Sequence, residues 1–130
     1  MERLKRRLEE LFHEVRGCRF LVLIDTIDRK VVLDMWKDAV ESRDKVKENL
    51  LHIFNYTVLE RQKNARNPFI RKALQDFKSL TFEMERGYVL FTALPDSRYV
   101  LASGILRETG LGFWRAAIKR ALESFENAGD

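Results

Sequence analysis

The sequence predicts a three-layer α/β domain built on a five-stranded, mostly antiparallel sheet. Three observations carry that expectation. Apolar residues recur at helical spacing near the start, middle and end of the chain, and at strand spacing or in short runs between. Two late segments, Tyr88–Leu94 and Tyr99–Leu106, are almost continuously apolar. Strands of that kind need cover on both faces of their sheet, and hence helices on both sides. A third segment, Leu80–Glu85, alternates apolar with polar residues, as a half-exposed strand does.

Each element has its own justification. Residues 2–16 place Leu4, Leu8, Leu11, Phe12 and Val15 on one helical face, with Arg3, Arg6, Arg7, Glu10 and Glu14 opposite. Gly17 stands where a helix can end. Cys18–Asp25 and Val31–Trp36 are rich in Val, Ile, Leu and aromatic residues and read as a hairpin. The polar turn Asp25–Lys30 joins them. The longest helical pattern spans residues 38–64. Its apolar positions Val40, Val46, Leu50, Leu51, Ile53, Phe54 and Val58 cover an arc of roughly 160°, wider than the ~100° stripe that one packed face needs. Lys47 interrupts that arc. The width implies that the helix touches its own sheet and something else.

Asn67–Pro68 breaks the chain, as an N-cap followed by a first-turn proline does. A short helix, Phe69–Phe77, is expected after it. Three strands follow, with turns at Arg86–Gly87 and Pro95–Ser97. The alternating strand belongs at a sheet edge and the two continuous ones inside. Residues 111–126 close the chain as a helix burying Trp114, Ala117, Ile118, Ala121, Leu122 and Phe125.

Composition narrows the class. The 130 residues suggest a single domain over 1–130, with 45% hydrophobic residues for a core and 34% charged residues for a wet surface. A lone cysteine, Cys18, forbids an internal disulfide and fits a reducing compartment, hence a cytoplasmic setting. The longest uncharged apolar run of the first strand, Phe20–Ile24, is too short to insert into a membrane. Residues 1–8 are charged and lack the apolar stretch of a secretory signal.

With the order of elements in place, the chain resembles the roadblock family, the dynein light chain and bacterial gliding-motility regulators of profilin-like fold. Phe20–Asp25 looks like that family's first strand ending in Asp. Residues 79–102 are similar to its three-strand meander, and Leu111–Gly112 opening a helix with Ala116, Ala117 and Arg120 is similar to its last helix. Two departures stand out. Asp28-Arg29-Lys30 replaces a hairpin that often carries Gly, and residues 61–78 are longer than usual. The resemblance implies strand order 2-1-5-4-3, one long helix on one face and the terminal helices on the other. It also implies a homodimer formed by the third strand and the long helix, through Val46, Leu50, Ile53, Phe54, Leu80, Thr81, Phe82, Glu83 and Met84. Such pairing would cover an edge that otherwise invites uncontrolled association.

Catalytic signatures do not emerge. Gly110-Leu-Gly112 lacks the Lys and further Gly of a phosphate cradle and reads as a strand-to-helix turn. His13 and His52 sit on different helices, so no metal-ligand spacing appears. Cys18 reads as packing at a strand start. Asp25 and Asp28 share a loop in which Asp caps turns. Glu83 and Glu85 share one strand face. No cofactor is expected.

The basic run Arg61, Lys63, Arg66, Arg71 and Lys72 encloses Phe69 and contains no acid. It suits phosphates, with Asn64, Asn67 and Phe69 available to bases. It suits equally a solvated helix end or an acidic protein partner. Three functional expectations follow. The first, implied by the resemblance, is a non-catalytic homodimer that regulates a small Ras-like GTPase or scaffolds a complex. The second is a nucleic-acid-binding module using residues 61–72. The third is a small-ligand sensor.

Overall fold

A computed structural model of the chain describes residues 2–37, 43–55, 78–94 and 98–127, with side chains described up to Glu123. Helix α1 is Glu2–Glu14, and strands β1 and β2 are Cys18–Asp25 and Lys30–Trp36. Helix α2 is Arg43–Phe54. Strands β3, β4 and β5 are Ser79–Glu83, Gly87–Ala93 and Tyr99–Leu106. A 3-10 turn, Arg107–Thr109, leads into helix α3, Leu111–Asn127. The sheet order is β2-β1-β5-β4-β3, and all four pairings are antiparallel.

The alternation of strand side chains sorts the core into two layers. On one face Leu21, Leu23, Leu90, Leu101 and Ile105 meet Leu4, Leu8 and Leu11 of α1 and Trp114 and Ile118 of α3. On the other, Val22, Ile24, Phe91, Val100 and Ala102 meet Leu50 and Phe54 of α2. β4 and β5 therefore feed both layers, which is why their sequences run almost unbroken in apolar residues.

Several boundaries differ from expectation. α1 ends at Glu14, and Gly17 is not its left-handed cap, since among the described glycines only Gly110 has positive φ. Gly17 answers a different need, because a Cβ there would lie 1.5 Å from Thr109 Oγ1. β3 stops at Glu83, short of the expected Glu85. The Met84 N–H donates to the Gly87 carbonyl at 2.8 Å, so Glu85–Arg86 forms the hairpin tip and Gly87 begins β4. The 3-10 turn has no signature in the local sequence pattern. Of the long helical pattern, Val40 and Val58 lie outside the described residues, as do Asn67–Pro68, Phe69–Phe77, Pro95–Ser97 and the side chain of Phe125.

Two aromatic arrangements stiffen the α2 side. Phe20 lies directly over Gly104, where a Cβ would come within 2.2 Å of the ring. Phe20 also packs on Trp36 with ring centroids 5.2 Å apart. Across the sheet, Phe91 stacks on Phe54 at 6.1 Å and meets Phe82 edge-on at 6.0 Å. Three phenyl rings thus run from α2 to the edge strand.

Candidate interaction surface

β3 and β2 are the two edges of the sheet, and they are built differently. The β1–β2 register shifts between Leu23 and Ile24, because Leu23 pairs with Leu33 while Ile24 pairs with Val31. Val32 is thus an extra residue, and a bulge of that kind blunts an edge. β3 pairs with β4 through five consecutive residues without a shift.

The hydrogen bonds at each end of β3 fix which backbone groups point outward. The Ala93 N–H donates to the Lys78 carbonyl at 2.8 Å, and Met84 bonds Gly87 at the other end. Bonded and non-bonded positions alternate along an antiparallel pair. Leu80 and Phe82 therefore face β4 with their backbone groups. Ser79, Thr81 and Glu83 turn their N–H and C=O groups to the open edge. Side chains alternate independently of this: Leu80 and Phe82 pack into the α2 layer.

The polar side chains of β3 are held from the opposite layer. Arg115 of α3 donates to Thr81 Oγ1 at 2.8 Å. Arg107 donates to Glu83 Oε1 at 3.0 Å, to the Met84 carbonyl, and lies 5.2 Å from the Tyr88 ring. Two arginines thus reach across β4 to fix the edge strand. Nothing in their local sequence signals this, because the partners are 24 and 34 residues away.

The expected site residues separate into groups. Leu50 and Phe54 are buried within the chain against the sheet, Val46 and Leu51 are half-buried, and Ile53 is 37% exposed. Helical geometry explains the division, since at about 100° per residue Ile53 lies roughly 60° from Leu50 and roughly 100° from Phe54. Lys47, which breaks the apolar arc, extends to Asp34 at 3.7 Å and Asp44 at 3.3 Å. Leu80, Thr81 and Phe82 are half-buried, Glu83 is exposed, and Met84, past the end of β3, is 54% exposed. Arg61, Lys63, Arg66, Arg71 and Lys72 lie outside the described residues.

At the far end of the sheet, the loop after β1 is capped as its sequence suggests. Asp25 Oδ1 accepts from the N–H groups of Ile27 and Asp28 at 2.9 and 3.1 Å, and Oδ2 accepts from Arg98 at 3.0 Å. The Arg98 guanidinium, ahead of the two backbone N–H groups, holds the Asp25 carboxyl below its ordinary value against the opposing effect of burial. Asp25 is a structural tie between two loops. Cys18 is buried, and desolvation pushes its thiol up to about 12. Such a thiol is a poor nucleophile at neutral pH. Among the described residues no cluster of three His, Cys, Asp or Glu side chains is arranged to hold a metal. No described helix is long and apolar enough to cross a membrane.

No family model and no curated protein matches the sequence. Solved structures do match in shape. The fold is of the roadblock type, in the form seen in gliding proteins. Myxococcus xanthus MglB superposes with a TM-score of 0.72 at 15% identity, over 98% of this chain and 87% of that one. The gliding protein MglB of Thermus thermophilus gives 0.68 at 22% identity, over 94% and 84%. A Roadblock/LC7 domain from Streptomyces avermitilis gives 0.67 at 14% identity, over 95% of both chains.

Proposed function

We propose that this chain is a non-catalytic interaction module that self-associates through β3 and α2 and, as a homodimer, binds and regulates a small Ras-like GTPase or scaffolds a complex. The observation that supports this best is the contrast between the two sheet edges. β2 is bulged, whereas β3 is regular and offers three residues with outward backbone groups. The MglB neighbours support it through fold, and one MglB structure at 22% identity and TM-score 0.68 has a tetrameric arrangement.

The edge suggests a register. A two-fold axis at Thr81, the middle of β3, sets Thr81 opposite its own copy and Ser79 opposite Glu83. These are the three residues whose N–H and C=O groups are available. In that register Leu80 faces the copy's Phe82 in the α2 layer, so apolar residues meet apolar ones across the seam. Ile53, exposed on α2 beside buried Leu50, supplies the helical half of the contact.

Light scattering on wild type and on Ile53→Glu tests self-association. Wild type is expected at twice the chain mass and the variant, still folded, at a lower mass. Equal masses for the two proteins would remove α2 from the interface. The regulatory part is tested with a purified small Ras-like GTPase. A GTPase that hydrolyses GTP at an unchanged rate and binds no better in the presence of the dimer would leave only the scaffold reading.

A further inference from the structure

The outward backbone groups of β3 and the side chains held from the opposite layer belong to the same residues. Thr81 and Glu83 turn their N–H and C=O groups to the open edge, and their side chains are gripped by Arg115 and Arg107. Leu80 and Phe82, whose backbone groups face β4, are packed into the α2 layer instead. The two sets of anchors therefore divide the strand between them, and the arginines take the positions that a second strand would meet.

Arg107 opens the 3-10 turn and holds the β3–β4 hairpin at several points. Its backbone N–H donates to the Arg86 carbonyl at 3.0 Å, and its guanidinium donates to Glu83 Oε1 and the Met84 carbonyl. Arg115 reaches Thr81 Oγ1 from α3 at 2.8 Å. These contacts are poorly placed to stabilise the fold as a whole. The Arg107 and Glu83 side chains are 44% and 68% exposed, and exposed pairs contribute little to global stability. Their effect is local. An edge strand has a neighbour on one side only and opens more readily than the core of its sheet. A strand already held in its paired conformation gives up less freedom when another strand adds to it.

We propose that Arg107 and Arg115 are positioning residues for strand pairing along β3, holding Glu83 and Thr81 so that the edge meets a second copy ready-formed. The inference rests on the β3/α2 reading for its partner. It gives the 3-10 turn and α3 control over an edge whose apolar seam lies in the α2 layer.

The test is sedimentation velocity on the full chain over a concentration series, with wild type, Arg107→Ala and Arg115→Ala. Amide hydrogen exchange at Leu80 and Phe82 is followed for the same arginine substitutions in the Ile53→Glu background. Each alanine variant is expected to raise the dimer dissociation constant by about tenfold. Exchange at Leu80 and Phe82 should quicken while the melting temperature stays near that of the parent protein. Arg115→Lys keeps a charged donor for Thr81 and should recover part of the loss. Combining Arg107→Glu with Glu83→Arg should recover affinity that either reversal alone removes. A wild-type dimer whose dissociation constant neither alanine variant changes would overturn the proposal, as would a weakening that neither Arg115→Lys nor the charge swap relieves. A wild type at the mass of a single chain throughout the series reads differently: it removes the β3/α2 reading itself, and this inference with it.

Discussion

The indole N–H of Trp114 donates to the hydroxyl of Ser103 at 2.8 Å, and both side chains are fully buried. The hydroxyl in turn lies 3.4 Å from the Leu90 carbonyl. This pair fastens α3 to β5 at the centre of the α1/α3 layer and satisfies the polar end of the largest buried side chain. Ser103→Ala leaves the indole N–H without a partner in a dry site. The expected loss is about 1–3 kcal/mol, read from the midpoint of urea unfolding. Trp114→Phe removes the donor instead but opens a cavity. A Ser103→Ala protein as stable as wild type would mean that the hydrogen bond contributes nothing net.

Most of the architecture was legible because it rests on local period. The unbroken strands 88–94 and 99–106 lie inside the sheet and the alternating one at its edge, since side-chain alternation translates directly into which faces are covered. The Asp25 cap was legible because Asp bonds backbone groups two and three residues on. The order of the strands came from the resemblance, and no residue pattern fixes it. Reading Gly17 as a helix cap failed because its requirement comes from Thr109, 92 positions away. The wide arc on α2 was ambiguous for a physical reason: an apolar side chain is indifferent to whether its own sheet or another chain covers it. Leu50 and Phe54 went to the sheet. The grip of Arg107 and Arg115 on β3 had no local signature, because their partners lie 24 and 34 residues away.

Asp25 and Arg98 make stability depend on acid. The carboxyl is held below its ordinary value of 3.8 by Arg98 and two backbone N–H groups. A group depressed in the folded state contributes its full stabilisation above the unfolded pKa and loses it as pH falls through the folded one. Stability is therefore expected to fall below about pH 4. Asp25→Asn keeps an acceptor for Ile27 and Asp28 but not the ion pair. Its unfolding free energy should be lower than wild type at neutral pH, and the gap should narrow as pH falls below the ordinary carboxylate value and through the depressed folded one. A gap that is constant with pH would exclude the ion pair as its source.

Arg29 supplies the left-handed residue of the first hairpin, with φ of 53°. This is the loop in which the sequence departs from the glycine usual in the family it resembles. A side chain in that region costs about 1–2 kcal/mol, while glycine costs about 0.5–1 kcal/mol in lost backbone freedom. Arg29→Gly is accordingly expected to stabilise the protein by about 0.5–1 kcal/mol in chemical denaturation. Destabilisation would indicate that the Arg29 side chain contributes more than its backbone strain removes.

The thiol of Cys18 is shielded by burial and held up to about 12. At about pH 8 a thiol-reactive probe should leave it unmodified in the folded protein and label it fully in denaturant. Labelling at the same rate in both states would contradict its position beneath α1. Because Cys18 stays silent, an introduced cysteine can be read without replacing it.

That silence allows the proposed β3 register to be tested directly. With the two-fold axis at Thr81, the two Thr81 residues form a bonded antiparallel pair, whose Cα atoms stand about 5.5 Å apart. That separation matches the mode for a disulfide, and side chains directly opposite one another point to the same face. Thr81→Cys is therefore expected to oxidise to a covalent dimer of folded chains. Ser79→Cys alone should not, because its copy lies four residues further along the seam. An equimolar mixture of Ser79→Cys and Glu83→Cys should cross-link between the two variants. A Ser79→Cys homodimer forming faster than the Thr81→Cys one would move the axis off Thr81. Failure of all three to cross-link, with wild type at the mass of a single chain, would leave β3 as an open edge.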